Sequence, residues 1–144
     1  MNLYKGKYWD VIYVDWCQEF PGQCIISSDK ESLSDLESCD WIELGIIENE
    51  LERIAKKLFD STMYNFACLM NNAFRDKKKP NVHFHFIPRY DGERNILGRK
   101  YKDKHFGFNM WKWSNNRFKR QKDIFSKEDK LKIFKMMKDE WNIK

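Results

Sequence analysis

The stretch NVHFHFIPRY, residues 81–90, decides how this chain is read. Side chains alternate across a β-strand, so Val82, Phe84 and Phe86 share one face while Asn81, His83, His85 and Ile87 share the other. Three bulky apolar groups suit a core. Two imidazoles and an amide then point together away from it, successive ones about 6–7 Å apart by the rise of a strand. A phosphate group fits between such neighbours: neutral imidazole attacks phosphorus, and a second imidazole donates a hydrogen bond to phosphate oxygens. The same pattern also describes histidines that merely lie on a sheet surface. It describes a metal pair as well, but no third ligand is evident, His105 lying in a loop of unassigned structure.

The flanking segments read as sheet and helix. Residues 8–16, YWDVIYVDW, are β-branched and aromatic and predict a strand. EFPGQ supplies Pro-Gly turn chemistry and QCIIS a second strand, which together make a hairpin. Ser34 and Asp35 offer oxygens to cap a helix. From Asp40 to Leu58 the apolar residues Trp41, Leu44, Ile47, Leu51, Ile54, Ala55 and Leu58 recur at gaps of mostly three and four, one stripe on one helix face. Glu43, Glu50, Arg53 and Lys57 then form the solvated face. Tyr64–Met70 (YNFACLM) predicts a strand that ends at Asn71-Asn72, before the polar loop AFRDKKKP. The strand carrying the histidines follows and breaks at Pro88. Residues 91–125 mix glycine, asparagine, basic and aromatic residues without sustained period. A final helix opens at Ser126 and Lys127, with Leu131, Phe134, Met137 and Trp141 on one face. Strands flanked by helices make the class α+β with an antiparallel sheet.

Length, charge and cysteines narrow the function. The 144 residues suit one domain whose core needs no metal or disulfide staple. No stretch reaches the roughly 20 apolar residues that span a bilayer, and MNLYKGKYWD lacks the apolar run of a signal peptide, so a cytoplasmic protein with no membrane partner is expected. Cys17, Cys24, Cys39 and Cys68 form no C-x-x-C pair and no zinc spacing, and are expected to be reduced. The net charge of +5 hides an asymmetry. Residues 1–72 carry 6 Lys/Arg against 13 Asp/Glu, a net of −7, whereas residues 73–144 carry 21 against 9, a net of +12. A basic half attracts phosphate-bearing ligands, and the acidic half argues against uniform coating by nucleic acid.

The combination resembles the histidine triad family. VHFHFIPRY is similar to the second half of its His-φ-His-φ-His-φ-φ signature, in the variant that continues into Pro-Arg. VIYVDW followed by FPGQCII resembles the family's first hairpin with its Pro-Gly-His turn. The Asp40–Leu58 helix precedes YNFACLMNN, as it precedes the family strand that ends in asparagine. The resemblance covers roughly residues 8–90. It implies a histidine-triad-like antiparallel sheet of about five strands, one long helix and a C-terminal helix. It implies a nucleotide hydrolase or nucleotidyl transferase in which His83 is the nucleophile, passing through a nucleotidyl-histidine intermediate, and His85 contacts the phosphates. Asp15, six residues before Pro21, matches the ribose-contacting position, and Asn71 or Asn72 the asparagine near the phosphate.

Three departures stand out. Asn81 occupies the place of the first triad histidine, the turn reads Pro21-Gly22-Gln23, and Lys77, Lys78 and Lys79 replace a Gly-Gln segment. The lysines either approach a polyphosphate or form an ordinary solvated loop. Arg89 either reaches a phosphate or pairs with Asp91. No tightly bound cofactor or metal is expected, beyond Mg²⁺ carried on a substrate. The resemblance also implies a homodimer. Residues 91–144 form a basic, aromatic C-terminal extension that packs on the sheet or on a second subunit. Alternatively it stacks nucleic acid through Trp111 and Trp113. A nucleotide- or nucleic-acid-binding module that has lost turnover is the alternative to an enzyme.

Overall fold

In the computed structural model the chain is described over residues 1–107 and 121–143. Its first residues, which show no strand signal, form edge strand β1 (Asn2–Lys5). The aromatic run that follows is a strand only over β2 (Asp10–Tyr13), and β3 (Cys24–Ser27) returns beside it. Next come helix α1 (Ser38–Phe59), β4 (Met63–Cys68), a one-turn helix α2 (Asn71–Arg75) and β5 (His83–Arg89). The chain ends with β6 (Glu93–Ile96), β7 (Arg99–Lys102) and α3 (Lys127–Glu140). Strands β1-β2-β3-β5-β4 form one antiparallel sheet in that order, and β6-β7 a separate hairpin. The fold is α+β, as the strand and helix periodicities predict. Among the described residues no helix is long and apolar enough to cross a membrane.

One face of the sheet carries the core. Val11, Tyr13, Cys24, Ile26 and Phe86 are buried there against Leu44, Ile47, Leu51, Ile54 and Ala55 of α1. Trp41, at the head of the expected stripe, is 46% exposed instead. The expected solvated face of α1 needs a larger correction. The Glu43 carboxylate accepts the backbone N–H groups of Lys7, Tyr8 and Trp9 at 2.8, 2.6 and 3.1 Å. Glu50 is buried beside Arg53, which holds its carboxyl below the usual range, and also accepts the Asn142 N–H. Ser34 does not cap α1. Ser32 and Asp35 cap a single 3-10 turn, and Glu37 with Asp40 forms the capping box of α1.

The C-terminal extension joins the same core, through Ile96, Tyr101, Phe125, Ile133 and Met137. On α3 the buried apolar residues are Ile133 and the expected Met137, while Leu131 is 41% exposed. The basic-aromatic stretch with Trp111 and Trp113 lies outside the described residues. Strand β5 runs straight through Pro88, because β3 pairs only with His83–Phe86 and leaves Pro88 with a neighbour on one side alone. All four cysteines are free thiols.

Candidate functional site

The alternation read from residues 81–90 is present in β5. Val82 and Phe86 are fully buried and Phe84 packs against the core, whereas His83, His85 and Ile87 lie half-buried on the opposite face. Register extends that face sideways. Ile25 of β3 and Ala67 of β4 both pair with His85, and Ser27 pairs with His83. Over this three-strand floor opens a cleft of about 340 Å³, floored by Gln23, Ile25, Ala67, His85 and Ile87. Its rim is formed by Val14, Trp16, Cys17, Glu19, Phe20 and Leu69. His83 stands one alternation beyond His85 on the same face and is not among the residues that line the cleft.

The wall is a loop held by buried polar groups. Gln18 is fully buried, and its amide donates to the carbonyls of Val14 (2.8 Å) and Gln23 (3.1 Å) while its oxygen accepts the Gly22 N–H at 2.8 Å. Tyr90 and Tyr101 donate to the Pro21 and Glu19 carbonyls, at 2.5 and 2.9 Å. The Gln23 side chain donates to the Cys17 carbonyl. Gly22 has a φ of +86°, and a β-carbon there would lie 3.0 Å from the ring of Phe59, the last residue of α1. Pro-Gly chemistry therefore seats the turn on the end of the helix.

The two imidazoles have ring centroids 5.2 Å apart and meet edge to face. Nδ1 of His83 lies 2.9 Å from the backbone carbonyl of Asn81. A carbonyl only accepts, so Nδ1 carries the proton and the lone pair sits on Nε2. Burial, and secondarily the neighbouring His83, holds the pKa of His85 below the ordinary histidine value. His85 is therefore neutral at pH 7, a hydrogen-bonding group rather than a fixed cation. The Asn81 side chain does not join this pair. Its Nδ2 donates to Ser27 Oγ at 2.8 Å, which ties the entry of β5 to β3.

The other expected residues are more dispersed. Asp15 lies beyond β2 with its side chain 44% exposed, 3.8 Å from the amino group of Met1, and is not part of the cleft wall. Asn71 and Asn72 do not precede a plain polar loop: they open α2, with Asn72 exposed. Arg89 is 2% exposed and its carboxylate partner is Asp103, not Asp91. Its Nε and Nη2 donate to Asp103 at 2.6 and 3.2 Å, Nη1 to Asn65 at 3.1 Å, and Nη2 also to the His105 carbonyl. No group of three or more His, Cys, Asp or Glu among the described residues is placed to hold a metal ion. Trp16, Gln18, Phe20 and Gln23 were not anticipated. The alternation of Gln23, Ile25 and Ser27 opposite the histidines is the signal that marks the floor.

Solved structures share the fold. A hypothetical histidine triad nucleotide-binding protein from Sulfolobus tokodaii superposes with a TM-score of 0.64 at 14% identity, over 96% of this chain and 81% of that one. The fold is histidine-triad-like. A Hit-like protein involved in cell-cycle regulation from Bartonella henselae gives 0.60 at 15% identity, over 97% of this chain and 85% of its own. A zinc-bound histidine triad family protein from Mycobacterium smegmatis gives 0.57 at 12%, over 96% and 84%. No family model and no curated protein matches the sequence. The likeness to histidine-triad-like structures is thus one of fold, carried at low identity.

Proposed function

We propose that this histidine-triad-like chain transfers a nucleotidyl group to water, cleaving a nucleotide phosphoanhydride, ester or phosphoramidate bond. The observation that carries the reading is the His83 Nδ1 contact with the Asn81 carbonyl at 2.9 Å. It leaves the Nε2 lone pair for attack, one alternation along β5 from His85 in a cleft of about 340 Å³. Nε2 attacks the α-phosphorus, the bond from phosphorus to the leaving group breaks, and the leaving group departs with the electron pair. Nucleotidylated at Nε2, the ring becomes cationic, and its Nδ1–H bond to the carbonyl becomes charge-assisted. Water then attacks phosphorus and gives up a proton to solvent, the P–Nε2 bond breaks with its electron pair returning to nitrogen, and nucleoside monophosphate and neutral His83 are released. Neutral His85 donates to the developing phosphate charge, as does the amide of Asn71 or Asn72.

In this reading Asp15 contacts the ribose, Asn81 orients His83 through its backbone, and Arg89 is a positioning residue that clasps segment 103–105 to β5. Mg²⁺ rides on the substrate where that is a polyphosphate. A cytoplasmic homodimer, with nucleic acid met through the basic C-terminal segment, belongs to the same proposal. The experiment is to incubate the protein with α-³²P-labelled nucleotide and trap labelled protein by acid quench. Label that appears in the wild type and is absent from His83→Ala supports the reaction. A second reading draws on Asn81, whose side chain is spent on Ser27: a module that binds nucleotide without turnover. Calorimetric AMP binding with no covalent label supports that instead.

A further inference from the structure

We propose that the Ser27 hydroxyl is a further catalytic group, a hydrogen-bond donor to the phosphoryl group that His83 attacks; this inference rests on the reaction assigned above to that histidine. Strands β3 and β5 pair antiparallel, with Ser27 opposite His83 and Ile25 opposite His85. Directly opposed residues of a ladder present their side chains on one face, so Ser27 carries the floor of Gln23 and Ile25 on to the level of His83. The backbone bonds fix how close the two stand. The Ser28 N–H donates to the Val82 carbonyl at 2.9 Å, which makes Ser28 and Val82 a hydrogen-bonded pair. Hydrogen-bonded and non-hydrogen-bonded pairs alternate along an antiparallel ladder. Ser27 and His83 are therefore a non-hydrogen-bonded pair, the kind whose Cα atoms lie about 4.5 Å apart and whose side chains are closest.

The hydroxyl is also placed to donate. Its oxygen accepts the Asn81 Nδ2–H at 2.8 Å, and among the described residues that is the side chain's one hydrogen bond. An amide nitrogen only donates, so Ser27 keeps its own hydrogen unspent. Accepting one bond polarises the hydroxyl and strengthens it as a donor. Ser27 is half-buried on the face that carries the histidines. The next hydroxyl along the chain is engaged otherwise: Ser28 is buried, and its Oγ accepts the Lys30 N–H at 3.0 Å. Asn81 thus serves two partners, its amide holding the serine and its carbonyl holding Nδ1 of His83 at 2.9 Å. As Nε2 closes on the α-phosphorus the phosphoryl oxygens gain charge, and a donor on the adjacent strand stabilises them. Position 81 supplies no imidazole, and a hydroxyl on β3 supplies the donor in its stead.

The test compares wild type, Ser27→Ala, Ser27→Thr and Asn81→Ala on diadenosine tetraphosphate. Ser27→Ala lowers kcat/KM about ten- to a hundredfold, the range for one donor to a charged oxygen. Ser27→Thr keeps the hydroxyl on a residue that suits a strand, and stays within about threefold of wild type. Asn81→Ala spares the hydroxyl, and its loss is smaller than that of Ser27→Ala by about threefold or more. A Ser27→Ala rate equal to wild type overturns the assignment. So do equal losses in Ser27→Ala and Ser27→Thr, or in Ser27→Ala and Asn81→Ala, since the serine then acts only through packing or as an anchor for Asn81. Calorimetry with AMP and adenosine gives a readout free of turnover: Ser27→Ala weakens AMP about tenfold and adenosine by less than about twofold. Equal effects on the two ligands, or none on either, also overturn it. If the wild type neither turns over nor takes label, the reaction assigned to His83 fails, while the two ligands still decide whether Ser27 meets a phosphate.

Discussion

The backbone carbonyl of Asn81 stands 2.9 Å from Nδ1 of His83, so the residue two places upstream orients the ring through its main chain. That contact survives any side chain at position 81. The chain can therefore lack the first histidine of a triad and still present an aligned Nε2.

His83→Ala abolishes hydrolysis of a dinucleoside polyphosphate or an AMP-amine and leaves the fold intact, because the side chain lies half-buried outside the core. Turnover and far-UV circular dichroism measured on the same sample check this. Activity retained by a folded variant removes His83 from the chemistry.

Asn81→His raises the rate several-fold with substrate affinity near that of the wild type. An amide cannot relay a proton as imidazole does, and general acid–base groups contribute about 10²–10⁴-fold in refined sites. The gain stays below that ceiling because the new ring also gives up the bond to Ser27. Steady-state kinetics on both proteins decide it, and an unchanged rate makes position 81 irrelevant beyond its carbonyl.

Asp15→Ala weakens AMP more than pyrophosphate, by about 1–3 kcal/mol for the lost charge-assisted bonds to sugar hydroxyls. The carboxylate is half-exposed and outside the cleft wall, so its reach to a ribose is what the experiment measures. Calorimetry with both ligands gives the answer. Equal losses place Asp15 away from the sugar.

His85 sets an acid limit to stability. Its pKa is lowered by burial and by His83, so the unfolded chain takes up this proton at a higher pH than the folded one. The contribution is intact above the unfolded histidine value near 6.5, and is lost as pH falls from there through the lower folded value. Melting temperatures at pH 7.5 and 5.5 therefore drop further for wild type than for His85→Gln. Equal drops exclude this group as the source.

Gly22→Ala destabilises the protein by about 1–3 kcal/mol, through a left-handed backbone and a β-carbon driven against Phe59. Denaturant titration of both proteins measures it. A loss below a few tenths of a kcal/mol shows that the turn shifts freely off the helix.

The sheet and its two flanking helices were legible because their signals are local and repeated. The period-two pattern of Val82–Ile87 and the three-four pattern of Leu44–Ala55 each specify a buried face. What escaped is set by tertiary partners. Strand β1 is four residues at a sheet edge, and its pairing with β2 outweighs a weak local preference. The β6-β7 hairpin turns at Leu97-Gly98, both at positive φ (52° and 76°), and leucine there gives no turn signal. Arg89 finds Asp103, fourteen residues away, and Glu43 finds a loop more than thirty residues upstream. Glu43, expected on a solvated face, and Arg89, expected at a phosphate or at Asp91, are instead clamps between distant segments. The histidine face was readable, but the cleft beside it was not, since its wall depends on where Gln18 buries its amide.

Helix α1 also acts as a ruler. Near its start Glu43 grips the turn at residues 7–9, and at its end Phe59 receives Gly22. The sixteen residue steps from Glu43 to Phe59 set those two grips about 24 Å apart and fix their angle around the axis. Each residue inserted or removed between them shifts one grip by 1.5 Å and turns it by about 100°. The length of this helix, far from the histidines in sequence, is therefore as much a part of the site's specification as the residues that line it, and homologous chains that keep the cleft must keep that count.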